Sequence, residues 1–308
     1  MNKDRDRRFR VLDIVYIAMM ILPLVCGMVL KVLTKPASSG IEITGAQIYF
    51  TIPMPLQELM ITEAQINSSL VIISVLGLCL YLTHGLSVKE PTVRQHLAEW
   101  IVEKTRGLVD GSMGEFFSGY APFIGAILAI SAFSSLITLI GLYPPTSDIN
   151  IVGGWAILVF VLITYYKLKG GLINYLKGFT EPIFVMTPLN ILGEVATPVS
   201  MAFRHYGNVL SGSVIAVLIS FALQNLSSLV LGWLPGILGE IPLLQIGLPA
   251  ILSVYFDIFS GCMQAYIFAM LTMLNISGAF PADEYEARMK KKAQKMQRTA
   301  NKKIKNEI

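Results

Sequence analysis

Residues 198–212 read Pro-Val-Ser-Met-Ala-Phe-Arg-His-Tyr-Gly-Asn-Val-Leu-Ser-Gly. This stretch lies deep inside an apolar region that runs from 182 to 231, and Arg204 is the only lysine or arginine between Lys177 and Arg288. A region this long does not fit upright in a bilayer. Residues 198–231 alone would form a helix about 50 Å long at ~1.5 Å per residue. The hydrocarbon core is only about 30 Å thick. Two arrangements satisfy that mismatch: a hairpin broken at Tyr206-Gly-Asn208, or one long and steeply tilted helix. Hydrophobic periodicity leaves both open.

The rest of the chain has the same character. Of 308 residues, 54% are hydrophobic and 14% charged, where a soluble domain carries about 25% charged residues. Apolar stretches recur at 11–33, 67–84, 120–142, 150–168, 182–231 and 241–277. They are continuous rather than alternating, so they read as helices and not as barrel strands. The expected fold is an all-α integral membrane protein with about six membrane helices. This composition argues against a soluble enzyme, a disordered hub or a nucleic-acid-binding domain. The stretch 11–33 exceeds the ~7–15 residue core of a signal peptide and reads as a retained helix, cleavage being the competing reading. Cys26, Cys79 and Cys262 all fall in apolar stretches and are expected as small core residues, without a metal or disulfide role.

Charge supplies the orientation. With the N-terminus inside, segments 1–10, 85–119, 167–181 and 278–308 carry 5, 4, 3 and 9 basic residues. The segments then outside hold only Lys31 and Lys35. That bias puts both termini in the cytoplasm. Residues 91–109 read as an amphipathic helix on the cytoplasmic surface, with an apolar stripe of Val93, Leu97, Trp100, Ile101, Leu108 and Val109. His96 is expected to be solvated there. The segment Gly40–Glu63 reads as irregular. The chain divides into an N-terminal part (1–66), a membrane core (67–277) and a basic tail (278–308).

Arg204 is the chemical centre. An arginine at the middle of a membrane helix costs ~2.5–3.5 kcal/mol on insertion scales, and intramembrane charges mark function by default. A structural ion pair between helices is the competing explanation. Helical spacing puts Thr197, Ser200, Arg204, Gly207, Asn208 and Ser211 on one small, polar face that another helix could approach closely. A second polar stripe runs through Asp257, Gly261, Gln264, Thr272 and Asn275, with Asp257 and Gln264 seven apart. Glu194 lies ten residues before Arg204. One acid therefore stands on each side of a central arginine, the layout for passing an ion in two half-steps across a cationic barrier. Arginine suits that barrier because its guanidinium stays protonated. A fixed positive charge favours the ionised form of a passing carboxylate and repels cations running straight through.

At these residues the chain resembles subunit a of the F-type ATP synthase. Residues 198–212 look like that family's arginine signature, and Gln-Ala-Tyr-Ile-Phe-Ala-Met-Leu-Thr (264–272) like its C-terminal signature. Tyr-Ala-Pro-Phe-Ile-Gly (120–125) and Gly-Leu-Tyr-Pro-Pro-Thr-Ser-Asp (141–148) match further family features. The resemblance covers about residues 67–277. It implies two long tilted C-terminal helices against a rotating c-ring, with Arg204 facing each ring carboxylate and Asn208 and Gln264 beside it. Asp257 then falls in the outer half-channel and Glu194 near the cytoplasmic one. The implied partners are the c-subunit ring, the peripheral-stalk b subunits and the rest of the synthase, within the lipid bilayer of a bacterial cell membrane, with no cofactor. Ser213 stands where relatives often carry Glu or His. His205 occupies a usually apolar position. Both, with Ser200 and Ser211, are candidate relay residues.

Other readings fare worse against the residues. An ion-coupled secondary transporter is the main alternative, but it predicts a repeat with two discontinuous spans. No such repeat is evident. An intramembrane hydrolase needs nucleophile–base pairs or an HExxH motif at helical spacing, and neither occurs. A passive scaffold leaves Arg204, Glu194 and Asp257 unexplained.

Overall fold

The computed structural model describes residues 3–34, 45–55, 58–88, 91–180, 184–231, 251–252 and 254–283, together with 285, 286, 289 and 290. Most of the basic tail and residues 241–250 of the last apolar stretch lie outside the described residues.

Among the described residues, six helical segments are long and apolar enough to cross a membrane: Val11–Thr34, Glu63–Thr83, Glu115–Ile140, Ile149–Lys169, Phe184–Val230 and Val254–Gly278. The fold is that of an all-α integral membrane protein. Helix α1 (Lys3–Thr34) runs antiparallel to α2 (Glu63–Thr83). Their axes approach closely at Gly77, where an added Cβ would sit 2.8 Å from the backbone nitrogen of Met20.

Between α1 and α2 lies a small antiparallel hairpin, β1 (Ile48–Ile52) with β2 (Leu59–Thr62), Ile52 pairing with Leu59. This corrects the expectation that 40–63 is irregular. Ile-Tyr-Phe-Thr-Ile is a run of β-branched and aromatic residues. It is too short for a criterion tuned to membrane-length apolar runs.

Helix α3 (Val93–Met113) occupies the predicted amphipathic segment. The Thr92 side chain caps its start by accepting from the Gln95 backbone N–H, and Gly114 ends it at φ +83°. A 3₁₀ turn (Glu115–Tyr120) leads into α4 (Ala121–Leu136). Helix α5 (Ile149–Lys169) begins at Asp148, whose carboxylate accepts from the Asn150 N–H at 2.9 Å. The short α6 (Leu172–Thr180) follows.

Helix α7 (Thr187–Leu231) is continuous over 45 residues. Tyr206, Gly207 and Asn208 are helical, so the broken-hairpin alternative falls. A π-helical turn (Val254–Ser260) then feeds α8 (Gly261–Gly278).

The core joins α3, α4, α5, α7 and α8 through Val109, Phe117, Ile124, Val159, Met201, Phe268 and Met273. The three cysteines are exposed on helix surfaces, against the expectation that they pack inside. Lipid is as apolar as a protein core, so an apolar stretch does not tell which of its residues face inward.

Candidate functional site

The site assembles where α7 meets α8, α4 and α5. Gly261 sets the approach of α8 to α4: a Cβ there would lie 2.6 Å from the Ser135 Cβ. That contact brings buried Gln264 against α7, where its Oε1 accepts a hydrogen bond from Asn208 Nδ2 at 2.8 Å. Asn208 stands one turn from Arg204. Lower on the same stripe, Thr272 is buried and bonds back to the Phe268 carbonyl, and Asn275 Nδ2 lies 3.4 Å from Met201 Sδ.

Thr197, Ser200, Arg204, Asn208 and Ser211 are all exposed, so the polar face read from the sequence is left uncovered by the described residues. Arg204 makes no ion pair or hydrogen bond with any described residue. Ser211 and Ser213 spend their hydroxyls on the carbonyls of Asn208 (3.3 Å) and Leu210 (2.8 Å).

His205 points the other way. It is fully buried, its Nε2 lies 3.4 Å from Ser131 Oγ, and the rings of Trp155 and Phe268 stand edge-on to it. The turn of ~100° per residue separates it from Arg204. Its Nδ1 has no hydrogen-bond partner among the described residues.

Among the described residues, two cavities with a carboxylate in their lining lie along α7, one toward each side of Arg204. One, of about 390 Å³, lies between α5, α6 and the start of α7 and is lined by Lys167, Tyr175, Asn190 and Glu194. The Glu194 side chain is 7% exposed. Its Oε1 accepts from Lys167 Nζ at 2.9 Å and from Tyr175 Oη at 3.2 Å. Burial, and next the Glu194 carboxylate, raise the Tyr175 pKa, so this phenol is a neutral donor at physiological pH. Pro198 lacks an N–H, which leaves the Glu194 carbonyl without its usual helical donor.

The second cavity, of about 20 Å³, is lined by Ser135, Thr138, Asn208, Ser213 and Asp257. That is room for about one water, which needs ~10–15 Å³. Asp257 lies on the π-helical turn, which carries it beside α7. Arg204 lines neither cavity. By the helical rise, Glu194 lies about 15 Å before it and Ser213 about 13 Å after it.

The sequence reading missed Lys167 and Tyr175 as neighbours of Glu194, and Ser135 and Thr138 as neighbours of Asp257. Lys167 was legible only as a loop charge, because contacts between distant elements leave no spacing signal.

These features define a multi-pass helical membrane protein with an intramembrane arginine set between two polar cavities, each holding a carboxylate. The ATP synthase A chain family matches residues 66–277, and the chain belongs to that family. It is similar to ATP synthase subunit a 1 of Crocosphaera subtropica, 31% identical over 210 residues that cover 67% of this chain and 81% of the relative. It is similar also to subunit a of Bacillus pumilus, 33% identical over 223 residues covering 67% and 86%. A third relative, subunit a of Macrococcus caseolyticus, is 29% identical over 208 residues covering 63% and 80%. Membership makes the chain a non-catalytic stator subunit in the membrane sector of an F-type ATP synthase.

Proposed function

We propose that this subunit conducts protons to and from a ring of c subunits through two half-channels that end on opposite sides of Arg204. The observation that carries this reading is the pair of cavities, one reaching Glu194 and the other Asp257, with the exposed Arg204 between them. A proton entering by way of Asp257 neutralises a ring carboxylate, which can then turn into lipid. The neutral carboxylic acid returning on the other side meets the guanidinium, ionises to the carboxylate and releases its proton toward Glu194. The guanidinium favours the ionised form and cannot itself give up a proton.

The uncovered face of Ser200, Arg204, Asn208 and Ser211 is the surface offered to the ring, since small and polar residues let a neighbouring helix approach closely. The basic bias of the loops supports an orientation with both termini, and the Glu194 cavity, on the cytoplasmic side and α3 on that surface. The Asp257 cavity then opens outward. The bacterial relatives support placement in a bacterial cell membrane, with b subunits of the peripheral stalk as further partners.

The test uses the whole complex, purified by a tag on this chain and reconstituted in liposomes. Arg204→Ala is expected to assemble with the c-ring and to reduce coupled proton transport about 10²-fold or more, the scale on which a preorganised electrostatic group acts. Pumping in sodium-free medium identifies the proton as the coupling ion. Full pumping by the assembled variant would overturn the role given to Arg204.

A further inference from the structure

Among the described residues, Glu63 is the most deeply buried carboxylate that this mechanism leaves unused. It opens α2 and precedes the family-matched segment, and it is 4% exposed. Its Oε1 makes no hydrogen bond with any described residue. The nearest cation is Lys31 of α1, whose Nζ lies 3.6 Å away. That ammonium gives its short hydrogen bond, 2.6 Å, to the carbonyl of Gly141 instead. A structural buried ion pair is expected to be hydrogen-bonded on both sides, because several kcal/mol of desolvation per ion must be offset. Glu63 does not have that arrangement.

Its surroundings are polar and continue toward the Asp257 cavity. Thr62 Oγ1 donates to Asp148 Oδ2 at 3.4 Å, and Asn67 Nδ2 donates to the Tyr143 carbonyl at 2.9 Å. Thr146 is fully buried, with an Oγ1 that has no partner among the described residues. Tyr143 lies within electrostatic reach of Asp148, Tyr206 and Glu63; these three, after burial itself, raise its pKa and keep its hydroxyl neutral. The next residue, Pro144, lines the cavity that holds Asp257. Tyr206 precedes Asn208, another lining residue, by two positions on α7.

We propose that Glu63 is a second proton-carrying carboxylate on the Asp257 side of Arg204, taking up protons from the outer face before they reach Asp257. A proton from outside water converts the Glu63 carboxylate to the neutral acid. Its release to water or hydroxyls on the way to Asp257 restores the carboxylate, and no other reactant is consumed. Lys31 acts as a positioning residue that holds the resting anion, and the N-terminus of α2 supports the same charge. Of the remaining charged or titratable neighbours, Asp148 stands at the head of α5, Tyr143 in the loop before it and Tyr206 on α7.

The proposal rests on the reading that protons pass this subunit under the control of Arg204, so Arg204→Ala is run in parallel. The measurement is ATP synthesis by the reconstituted complex as a function of pH on the outer side alone. Glu63→Gln is expected to lower synthesis about a hundredfold, the low end for a positioned proton-transfer group. The fall-off toward alkaline outer pH should begin at lower pH than in the parent, and Glu63→Asp should restore much of the rate. Parental rate and pH profile in Glu63→Gln would overturn the proposal, as would a loss whose pH profile keeps its shape. If Glu63→Gln fails to assemble, Glu63→Asp decides: a displaced outer pH profile supports the proposal and an unchanged one overturns it. Normal coupling in Arg204→Ala would instead sink the underlying mechanism, whatever Glu63 does.

Discussion

At the scale of single residues, the site separates groups with a fixed charge from groups that can change theirs. Arg204 cannot lose its proton in any physiological medium. Asp257 and Glu194 can gain one, and each has its own cavity. Asp257→Asn keeps the shape of the side chain and removes the proton-carrying oxygen. It is expected to slow proton entry from the outer side about tenfold or more, read as proton flux into liposomes over a range of outer pH. An unchanged flux at every pH would remove Asp257 from the path. His205 has the opposite situation. Buried among Ser131, Trp155 and Phe268, it is packed into the core on the side of α7 away from the exposed polar face.

At the scale of elements, glycines decide how closely the helices approach, and two positions make the point measurable. Gly77→Ala drives a methyl to within 2.8 Å of the Met20 backbone, which a rotamer change cannot relieve. Overpacking of this kind costs about 1–3 kcal/mol. Gly154→Ala on α5 meets nothing within 4 Å and should be neutral or stabilising by up to about 1 kcal/mol, from helix propensity alone. Unfolding of the two purified variants in detergent checks both. Equal stability would mean that the α1–α2 contact is not tight in the membrane. The π-helical turn at Val254–Ser260 is a second device at this scale. It gives Asp257 a register that a regular helix running into α8 would not.

At the scale of the whole molecule, α1 packs mainly against α2, whereas the main core is built from α3, α4, α5, α7 and α8. Deleting residues 1–34 should therefore leave a chain that still co-purifies with the complex. It should lower transport, because Lys31 no longer holds Glu63. Complete loss of the chain from the membrane would show that α1 is needed for folding rather than for the outer entry path.

The sequence alone determined the fold class and the span of the family resemblance, and it singled out Arg204, Glu194 and Asp257 as the residues to test. The reason is physical. Membrane helices advertise themselves by length and composition, and a charge at mid-membrane is too costly to be incidental. What the sequence could not decide needed contacts between elements. It left open whether residues 206–208 turn or continue, and the tertiary structure shows one unbroken helix. It placed the cysteines inside, but apolar character has no direction in lipid. It took 40–63 for an irregular segment, where the structure has a hairpin. It passed over Lys167, Tyr175, Lys31 and Glu63, because pairs such as Lys31 with Glu63 meet only when α1 and α2 lie side by side. Chemistry at one position is legible along a chain. Which groups share a cavity is settled by helix packing, and here that packing is set by close approaches such as Gly77 of α2 against α1 and Gly261 of α8 against α4.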